Sequence, residues 1–384
     1  MAPATVTRET PASQEELAGL LRRCSGEGAR VCPVGGATKL GWGAPGEPAE
    51  VELSTADLRQ VVEHNEGDLT AVIDAGASLA AVQAGFAEAG QMLALDPPLG
   101  AGAAATLGGI VASGDSGPLR HRYGAARDLV VGMTMALADG TVARAGGKVI
   151  KNVAGYDLAK LFAGSFGTLG VVLRVSVRLH PLTSTRATLR VEAESAERIG
   201  ALSAALSHSF LEMESLDLAW GNGSGAVLAR FGGAAAHDQA AVAAEIAGGG
   251  ELIEDDGPVW ERQRAQQRSR DGVVVRVSGL QSDLPRLVGE AERLGARVVG
   301  RAALGIYWIA LEGLDDEAAV AAIGELRARL APAPCIVLDA PPGVRAGLDV
   351  WDEADPARLA LARRVKERFD PKRTLRPGVF VGGI

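Results

Sequence analysis

The chain has 384 residues, of which 47% are hydrophobic and 22% charged, and its formal net charge is −8. This length is enough for two domains with separate cores, and the composition is that of an ordinary globular protein. The negative net charge argues against nucleic acid and anionic membranes as primary partners. No segment approaches the roughly 20 consecutive apolar residues that a membrane-spanning helix needs.

The cysteines indicate the cellular compartment. Cys24, Cys32 and Cys335 have no metal-binding spacing, and one of them is left over after any pairing. We therefore expect buried free thiols in a reducing compartment and no iron–sulfur cluster within this chain. The first ten residues contain no apolar core, so we expect no secretory signal peptide and a cytoplasmic protein.

The first 90 residues combine helix and strand signals with one glycine-rich turn. Ser13 and Glu16 form a capping-box pattern that begins a helix ending near Gly28. A short strand then ends in Gly35-Gly36-Ala37-Thr38, where backbone amides can point at one spot as in a phosphate-binding turn. An ordinary turn is the alternative. Further strands are expected at 51–53, 58–63 and 70–74, followed by a helix from Ser78 to Gly90.

Small residues dominate the stretch from Ala103 to Gly117. Two interpretations stay open for it, a helix packed tightly against a sheet or a wall pressed against a flat ring system. A cationic loop at 120–128 follows, and then a strand over 129–138. The Asp139-Gly140 pair predicts a hairpin turn into the next strand.

The segment from Gly146 to Val172 is the most informative stretch of the chain. Glycines recur at every third position at Gly164, Gly167 and Gly170, where backbone amides can come close to a ligand. Lys148 and Lys151 lie shortly before them and add positive charge. This combination predicts a site for a large, anionic, planar cofactor.

The sequence changes character after His180-Pro181. Glycine clusters become rare, and short strands alternate with helices rich in Ala, Glu and Arg, which predicts an α+β unit with an antiparallel sheet. A last helix is expected over 356–369, followed by Asp370-Pro371. The expected helices of the α+β unit are 238–246, 284–294 and 316–330, and its expected strands are 227–231, 273–277, 306–311 and 335–338.

Taken in order, five motifs resemble those of the FAD-linked oxidases, whose flavin-binding fold is the vanillyl-alcohol-oxidase or PCMH type. The resemblance is to the FAD-binding subunits of bacterial glycolate oxidases in particular. It implies an α+β fold with a PCMH-type FAD-binding domain of two α/β subdomains at 1–183. It also implies an antiparallel-sheet α+β cap domain at 184–350 and a tail at 351–384 that returns to the flavin domain. The motifs are Pro33-Val34-Gly35-Gly36-Ala37-Thr38, Thr106-Leu107-Gly108-Gly109, the run from Gly147 to Leu158, Gly164-Ser165-Phe166-Gly167-Thr168-Leu169-Gly170, and Phe369-Asp370-Pro371 before Pro377-Gly378.

The resemblance also implies FAD as the cofactor. Covalently flavinylated members carry a His where this chain has Ala37, so non-covalent binding is expected. By this resemblance, residues 35–38 hold the pyrophosphate, those between 106 and 117 line the isoalloxazine or the pyrophosphate, and those from 164 to 172 flank the adenosine. The implied cofactor-binding residues are Pro33, Gly35, Gly36, Ala37, Thr38, Thr106, Gly108, Gly109, Ser113, Gly117, Lys151, Gly164, Gly167, Thr168, Gly170, Val171 and Val172.

Lys151 is the candidate for a cation that tunes the flavin by its charge near the N1/C2 carbonyl edge, with Lys148 as a weaker candidate. The alternative is a lysine that contacts the phosphates or a neighbouring carboxylate. The chain also departs from the family pattern in two ways. Arg376 stands where the usual tail has Asn before Pro-Gly, and the cap residues contain only His208 and His237, with no neighbouring ligand pattern.

Oxidation of a 2-hydroxy acid needs a general base near the hydroxyl and a cation for the carboxylate. Because neither cap histidine has such surroundings, the resemblance favours an FAD-dependent oxidoreductase subunit without its own catalytic base. Within a glycolate oxidase complex it would support oxidation of glycolate to glyoxylate. Its partners would be a homologous flavoprotein subunit and an iron–sulfur subunit, with a peripheral link to the inner membrane through the complex as an option.

Two alternatives stay open. The first is a stand-alone FAD-dependent dehydrogenase of D-2-hydroxy acids such as D-lactate or glycolate. The second is a non-catalytic assembly module with a vestigial flavin site. Retention of many glycines, each costing about 0.5–1 kcal/mol in a regular element, argues against the second alternative. A nicotinamide enzyme is not expected, because no strand–GxGxxG–helix unit stands at the N-terminus.

Overall fold

The computed structural model describes residues 6–148, 156–352 and 355–384. These residues form two compact units. Unit 1 contains the described residues of 6–116, 124–182 and 355–384. Unit 2 contains residues 117–123 and 183–352.

The strands of the described residues are β1 (Thr7–Glu9), β2 (Val31–Val34), β3 (Val51–Ser54), β4 (Val61–Asn65), β5 (Thr70–Asp74), β6 (Gln91–Met92), β7 (Val130–Ala136), β8 (Val142–Gly146), β9 (Val171–Arg178), β10 (His180–Pro181), β11 (Arg186–Ala193), β12 (Met213–Gly221), β13 (Ser224–Gly232), β14 (Glu251–Ile253), β15 (Val273–Ser278), β16 (Arg297–Arg301), β17 (Ile306–Leu311) and β18 (Cys335–Asp339).

The α-helices are α1 (Gln14–Glu27), α2 (Leu79–Glu88), α3 (Leu107–Ser113), α4 (Arg120–Tyr123), α5 (Ala126–Leu129), α6 (Leu158–Phe162), α7 (Ala196–Ser207), α8 (Ala236–Ala247), α9 (Gly257–Ala265), α10 (Leu284–Arg293), α11 (Asp316–Leu330), α12 (Pro342–Gly347) and α13 (Pro356–Phe369). Within the described ranges, no helix has the length and apolar composition needed to cross a membrane.

Unit 1 is built on three sheets. A small parallel sheet has the order β1-β3-β2, a five-stranded antiparallel sheet has the order β4-β5-β9-β7-β8, and β6 pairs with β10. Helix α1 begins where the Ser13 hydroxyl accepts the Glu16 amide, and it ends at Gly28 with φ 74°. Its buried side chains Leu17 and Leu21 join a core cluster with Leu53 of β3 and residues of β7 and β9, so α1 ties the sheets together.

The C-terminal segment lies beside β2. The Val31 amide donates to the Thr374 carbonyl at 2.7 Å, and the Arg376 amide donates to the Val31 carbonyl at 3.1 Å. Lys366, on the last turn of α13, is buried and donates to the carbonyls of Thr168 and Leu375 and to the Asp370 carboxylate, at 2.7 to 2.9 Å. A buried ammonium with three acceptors is fully hydrogen-bonded, so it fixes the segment that carries Arg376.

Unit 2 is organised around one eight-stranded antiparallel sheet with the order β14-β11-β13-β12-β16-β17-β15-β18. The predicted strands and helices of this region are present as β13, β15, β17 and β18 and as α8, α10 and α11. A fully buried ion pair joins neighbouring strands of the sheet, where the Arg301 guanidinium lies 2.6 Å from the Asp217 carboxylate. The antiparallel α+β prediction for this part of the chain is confirmed.

Residues 117–123 differ from the expected division of the chain. They lie within the range expected for the first domain, 1–183, whereas they pack within unit 2. The Gly117 carbonyl accepts a hydrogen bond from Nε of Arg301 at 3.0 Å, and the Tyr123 hydroxyl donates to Glu214 at 3.2 Å. Arg122 pairs with Glu212 at 3.0 Å. These side-chain contacts bind the segment to β12 and β16, which lie far away in the sequence.

Candidate cofactor site

A cleft in unit 1 opens where β2 ends, and its walls leave about 730 Å³ of empty space, part of it open to solvent. Three chain segments and the C-terminal tail form it: the turn after β2, helix α3 with its preceding residue, the start of β9 with the turn before it, and Arg376. Its lining residues are Pro33, Val34, Gly35, Gly36, Ala37, Thr38, Lys39, Leu40, Thr55, Ala75, Thr106, Gly108, Gly109, Ala112, Ser113, Phe166, Gly167, Gly170, Val171, Val172 and Arg376.

The turn after β2 exposes backbone amides. Gly36 packs so tightly that a Cβ there would lie 1.6 Å from the Ala104 carbonyl oxygen. Ala37 has a positive φ of 56°, a left-handed conformation that helps to close the turn. Within the described part of the chain, the amides of Gly35, Gly36 and Ala37 donate no hydrogen bond. Unpaired amides on consecutive residues of a tight turn form a concavity suited to an anion.

Helix α3 forms the adjoining wall. The Thr106 hydroxyl caps it by accepting the Gly109 amide at 3.3 Å. A Cβ on Gly35 would lie 2.2 Å from that hydroxyl oxygen, and a Cβ on Gly108 would lie 2.6 Å from the Cβ of Ala75. The helix is therefore pressed against both the turn and the end of the five-stranded sheet. The small residues of this stretch thus provide close packing, as the first interpretation of the sequence expects. The second interpretation, a wall against a flat ring system, stays a prediction.

The third wall is the glycine-rich turn that leads into β9. Gly167 has φ 74°, and a Cβ added to it would approach only the side chains of Pro33 and Arg376, at 3.8 and 3.9 Å. Phe166 also has a positive φ, of 58°. Gly170 is needed for packing, because a Cβ there would lie 2.6 Å from the Phe162 ring. Gly167 consequently leaves part of this wall without a side chain, where a flat ligand has room.

Two cations of the described residues line the cleft, and they differ in their partners. The Lys39 side chain is only 6% exposed, and its ammonium lies 3.1 Å from the Asp115 carboxylate and donates to the Pro98 carbonyl at 3.2 Å. Arg376 donates from Nη1 to the Phe166 carbonyl at 2.9 Å and from Nη2 to the Leu40 carbonyl at 3.3 Å. Burial lowers the pKa of the Arg376 guanidinium.

Three residues predicted to bind the cofactor do not line the cleft. Gly164 donates its amide to the Val111 carbonyl at 2.9 Å, and the Thr168 hydroxyl donates to the Ser165 carbonyl at 2.7 Å, so both donors are used within unit 1. Gly117 lies in unit 2. Lys151 falls outside the described residues, and Lys148 pairs with Glu63.

Sequence reasoning passed over several lining residues. Lys39 and Leu40 directly follow the predicted turn, so their position next to Thr38 was a usable signal. Phe166 stands inside the glycine motif itself. Arg376 was noted only as a departure from the tail pattern. Its contacts with Phe166 and Leu40 span 210 and 336 residues, and sequence spacing cannot foresee such contacts.

Unit 2 contains one more histidine than the sequence analysis assigned to it. His208 and His237 are both exposed, whereas His121 of α4 is partly buried. Its Nδ1 atom is buried and has no hydrogen-bond partner among the described residues. Burial, and then the charge of Arg122, lower the pKa of His121. Among the described residues, no group of three or more His, Cys, Asp or Glu side chains is arranged to hold a metal ion.

The residues of the cleft fit the FAD that the resemblance implies. Unpaired amides of the turn and the Arg376 charge suit a diphosphate, and the glycine-lined wall suits a planar ring. This fit rests on residues 33–40, 106–113, 166–172 and 376, all of which belong to unit 1.

Comparison with known proteins agrees with this fit. Residues 8–146 match the family model of an FAD binding domain. Over 96% of its length the chain has the fold of alkyldihydroxyacetonephosphate synthase, with a TM-score of 0.72, 15% identity and coverage of 76% of that chain.

Similar sequences include two glycolate oxidase subunits and a dehydrogenase. Glycolate oxidase subunit GlcE of Escherichia coli (strain K12) is 34% identical over 239 residues, which is 62% of this chain and 65% of that protein. Subunit GlcD of Bacillus subtilis (strain 168) is 34% identical over 47% of this chain and 38% of its own length. Mitochondrial D-2-hydroxyglutarate dehydrogenase of Bos taurus is 38% identical over 46% of this chain and 32% of its own length.

The chain therefore spans from about a third to just under two thirds of the length of these relatives. The family model and these relatives support FAD-dependent oxidoreductases as the proteins that this chain resembles. Residues 8–146 carry the FAD binding domain, and FAD is the cofactor of unit 1.

Proposed function

We propose that this chain is the FAD-binding subunit of a glycolate oxidase complex that oxidises glycolate to glyoxylate. The observation that carries the proposal is the similarity to subunit GlcE of E. coli, which extends over 62% of this chain, whereas the matches to GlcD and the mitochondrial dehydrogenase cover less than half of it. Substrate oxidation itself belongs, in this proposal, to a homologous flavoprotein partner.

The chain's own residues would hold the cofactor without a covalent bond. The amides of Gly35, Gly36 and Ala37 would bind the diphosphate, and Gly109 and Gly167 would leave room for the ring systems. Ala37 offers no nucleophile for covalent attachment at the position where some family members carry His. When bound, FAD supplies a two-electron carrier that can exchange electrons with partner cofactors.

The state of the three cysteines supports an electron acceptor on another subunit. Cys24 and Cys335 are buried and Cys32 is partly buried. Burial raises the pKa of Cys32, and it raises that of Cys335 to about 12. Thiols that resist ionisation are poor ligands for a cluster, because the thiolate is the form that binds metal. An iron–sulfur subunit is therefore a proposed partner rather than a part of this chain.

A stand-alone D-2-hydroxyacid dehydrogenase is the second candidate. Its specific support is His121, a partly buried imidazole whose lowered pKa keeps it neutral at pH 7, as a general base requires. Sequence similarity to the mitochondrial D-2-hydroxyglutarate dehydrogenase points the same way.

The experiment that separates these candidates is an absorbance spectrum of the isolated chain before and after anaerobic addition of glycolate or D-lactate. We expect flavin bands near about 370 and about 450 nm that substrate does not bleach. Chemical reduction with dithionite must bleach the same bands, which shows that the flavin is redox-competent.

Bleaching by either substrate would reject the accessory-subunit proposal and favour the stand-alone enzyme. In that event the variant His121→Asn tests the base directly, because it must slow the bleaching while leaving dithionite reduction unchanged. A chain that stays colourless after incubation with FAD would reject both candidates and leave the assembly module.

A further inference from the structure

We infer that Arg376 is the cation that neutralises the FAD diphosphate in this protein and thereby determines its affinity for the cofactor. This inference rests on the proposed non-covalent binding of FAD in the cleft of unit 1. It assigns a binding role to the position at which the chain departs from the family's tail pattern, where Asn is usual.

The first observation is the location of the guanidinium. Arg376 lines the cleft and donates to the carbonyls of Phe166 and Leu40, which belong to two different walls. Leu40 is two residues beyond Thr38, at the end of the turn that presents the unpaired amides. The charge is therefore held at the junction of the anion-binding turn and the glycine-rich wall.

The second observation is the charge balance. Lys39, the other described cation of the cleft, is already neutralised by Asp115. The two hydrogen bonds that the Arg376 side chain makes within the described residues go to neutral carbonyls, and no described carboxylate forms an ion pair with it. A guanidinium has five N–H donors, so donors remain for a ligand. A partly buried cation without a counter-ion is unfavourable, and an anionic ligand would remove that cost.

The third observation is the backbone. Arg376 has a φ of 43°, in the left-handed region that non-glycine residues rarely adopt and where Asn is favoured over Arg. Backbone preference thus does not explain an arginine here. A non-glycine residue held at a strained position is a pattern found at ligand sites.

The ligand group is the diphosphate. It is the part of FAD that carries charge at neutral pH, and guanidinium groups bind phosphate oxygens through two parallel hydrogen bonds. A charge held beside the diphosphate acts on binding and leaves the flavin potential nearly unchanged, whereas a charge at the ring would change the potential.

The experiment compares Arg376→Asn and Arg376→Lys with the control Arg373→Asn in the full chain freed of FAD. Arg373 also has a positive φ, of 55°, but it is 52% exposed on its side chain and pairs with Glu47 at 3.5 Å away from the cleft. Both Asn variants relieve similar backbone strain, so only the cleft charge differs. The measurements are the dissociation constants of FAD, ADP and adenosine, the thermal midpoint of the FAD-free chain, and the flavin potential.

We expect Arg376→Asn to weaken FAD and ADP binding by about 10- to 100-fold, the effect of losing hydrogen bonds between charged groups. Adenosine binding and the flavin potential should stay within experimental error. Arg376→Lys should weaken FAD binding less, because it keeps the charge but loses the planar fork. Arg373→Asn should bind all three ligands like the unmodified chain.

The inference is overturned if Arg376→Asn binds FAD within about twofold of the unmodified chain, or if adenosine loses affinity as much as ADP. A shift of the flavin potential without loss of ADP affinity would also overturn it, since it would place the charge at the ring. If Arg376→Asn does not fold, the salt dependence of FAD binding by Arg376→Lys and the unmodified chain decides, because a diphosphate contact must weaken with salt. An unmodified chain that binds no FAD would instead reject the proposed function.

Discussion

At the scale of single residues, the buried charges of this protein differ in how they are compensated. Lys366 has three acceptors, one of them a carboxylate. Asp217 and Arg301 pair with each other, but Oδ1 of the first and Nη2 of the second have no hydrogen-bond partner among the described residues. The Arg376 guanidinium donates to two neutral carbonyls, those of Phe166 and Leu40. The charges with a charged partner have a structural role, whereas Arg376 has only neutral partners among the described residues, and we assign it to a ligand.

His121 gives a prediction about pH. Burial lowers its pKa in the folded state, and protonation would create an Nδ1–H donor at an atom that has no acceptor in the described structure. Below the pKa of the unfolded chain, about 6.5, the unfolded state binds the proton more strongly, so stability must fall as the pH falls. We expect His121→Asn to lose less stability than the unmodified chain between about pH 7.5 and about pH 5.

Urea unfolding of both proteins at the two pH values measures this difference. The variant must be compared with the unmodified chain, because Asp217 changes the stability with pH in the opposite direction. Burial raises its pKa to about 6 despite Arg301, so the stability from its protonated form is lost as the pH rises through 6. Equal pH dependence in the two proteins would show that His121 is not buried as described.

At the scale of elements, the conformation of the turn after β2 depends on close backbone packing and not on particular side-chain contacts. Gly36→Ala would force a Cβ to 1.6 Å from the Ala104 carbonyl oxygen, so the backbone of the turn or of the segment before α3 must move. We expect a loss of about 1–3 kcal/mol in the free energy of unfolding and weaker FAD binding, because the amides of the turn are displaced.

Gly41→Ala is the matched control. It lies just beyond the same turn, and a Cβ there meets no described atom within 4 Å. Its stability and FAD affinity should stay within about 0.5 kcal/mol of the unmodified chain, as for most surface substitutions. Should Gly36→Ala and Gly41→Ala behave alike in thermal unfolding and FAD titration, the packing account of the turn would be wrong.

Local patterns predicted much of the architecture. The helix expected over 356–369 has these bounds in the structure, and the one expected over 316–330 also does. In both helices an Asp side chain caps the first turn, a signal that sequence carries directly. The glycine-rich turn was predicted for the same reason, since tight turns need particular residues at fixed positions.

Long-range contacts account for what the sequence left undetermined. The sequence alone predicts that residues 117–123 belong to the first domain. In the structure, Arg301 donates a hydrogen bond to the Gly117 carbonyl from 184 residues further along the chain. The family resemblance also assigned Gly164 and Thr168 to the cofactor, although neither lines the described cleft. A motif does not tell which side of a turn meets a ligand. Arg376 became a candidate only through its packing.

At the scale of the whole molecule, the two units differ in the functional residues that they contain. Unit 1 contains the described cleft, the unpaired amides and Arg376. Unit 2 is organised around one antiparallel sheet, and the two histidines expected in the cap, His208 and His237, are exposed. This distribution is the reason why the proposed function assigns substrate oxidation to a partner, and it makes FAD binding the central claim.

The most direct test of that claim is to denature the purified chain with acid and identify the flavin on each side of the separation. The account predicts FAD in the supernatant, about one molecule per chain, and a colourless precipitate, because the cleft holds the cofactor without a covalent bond. Flavin that stays with the precipitated protein, release of FMN in place of FAD, or a chain that takes up no FAD when supplied with it would contradict the account.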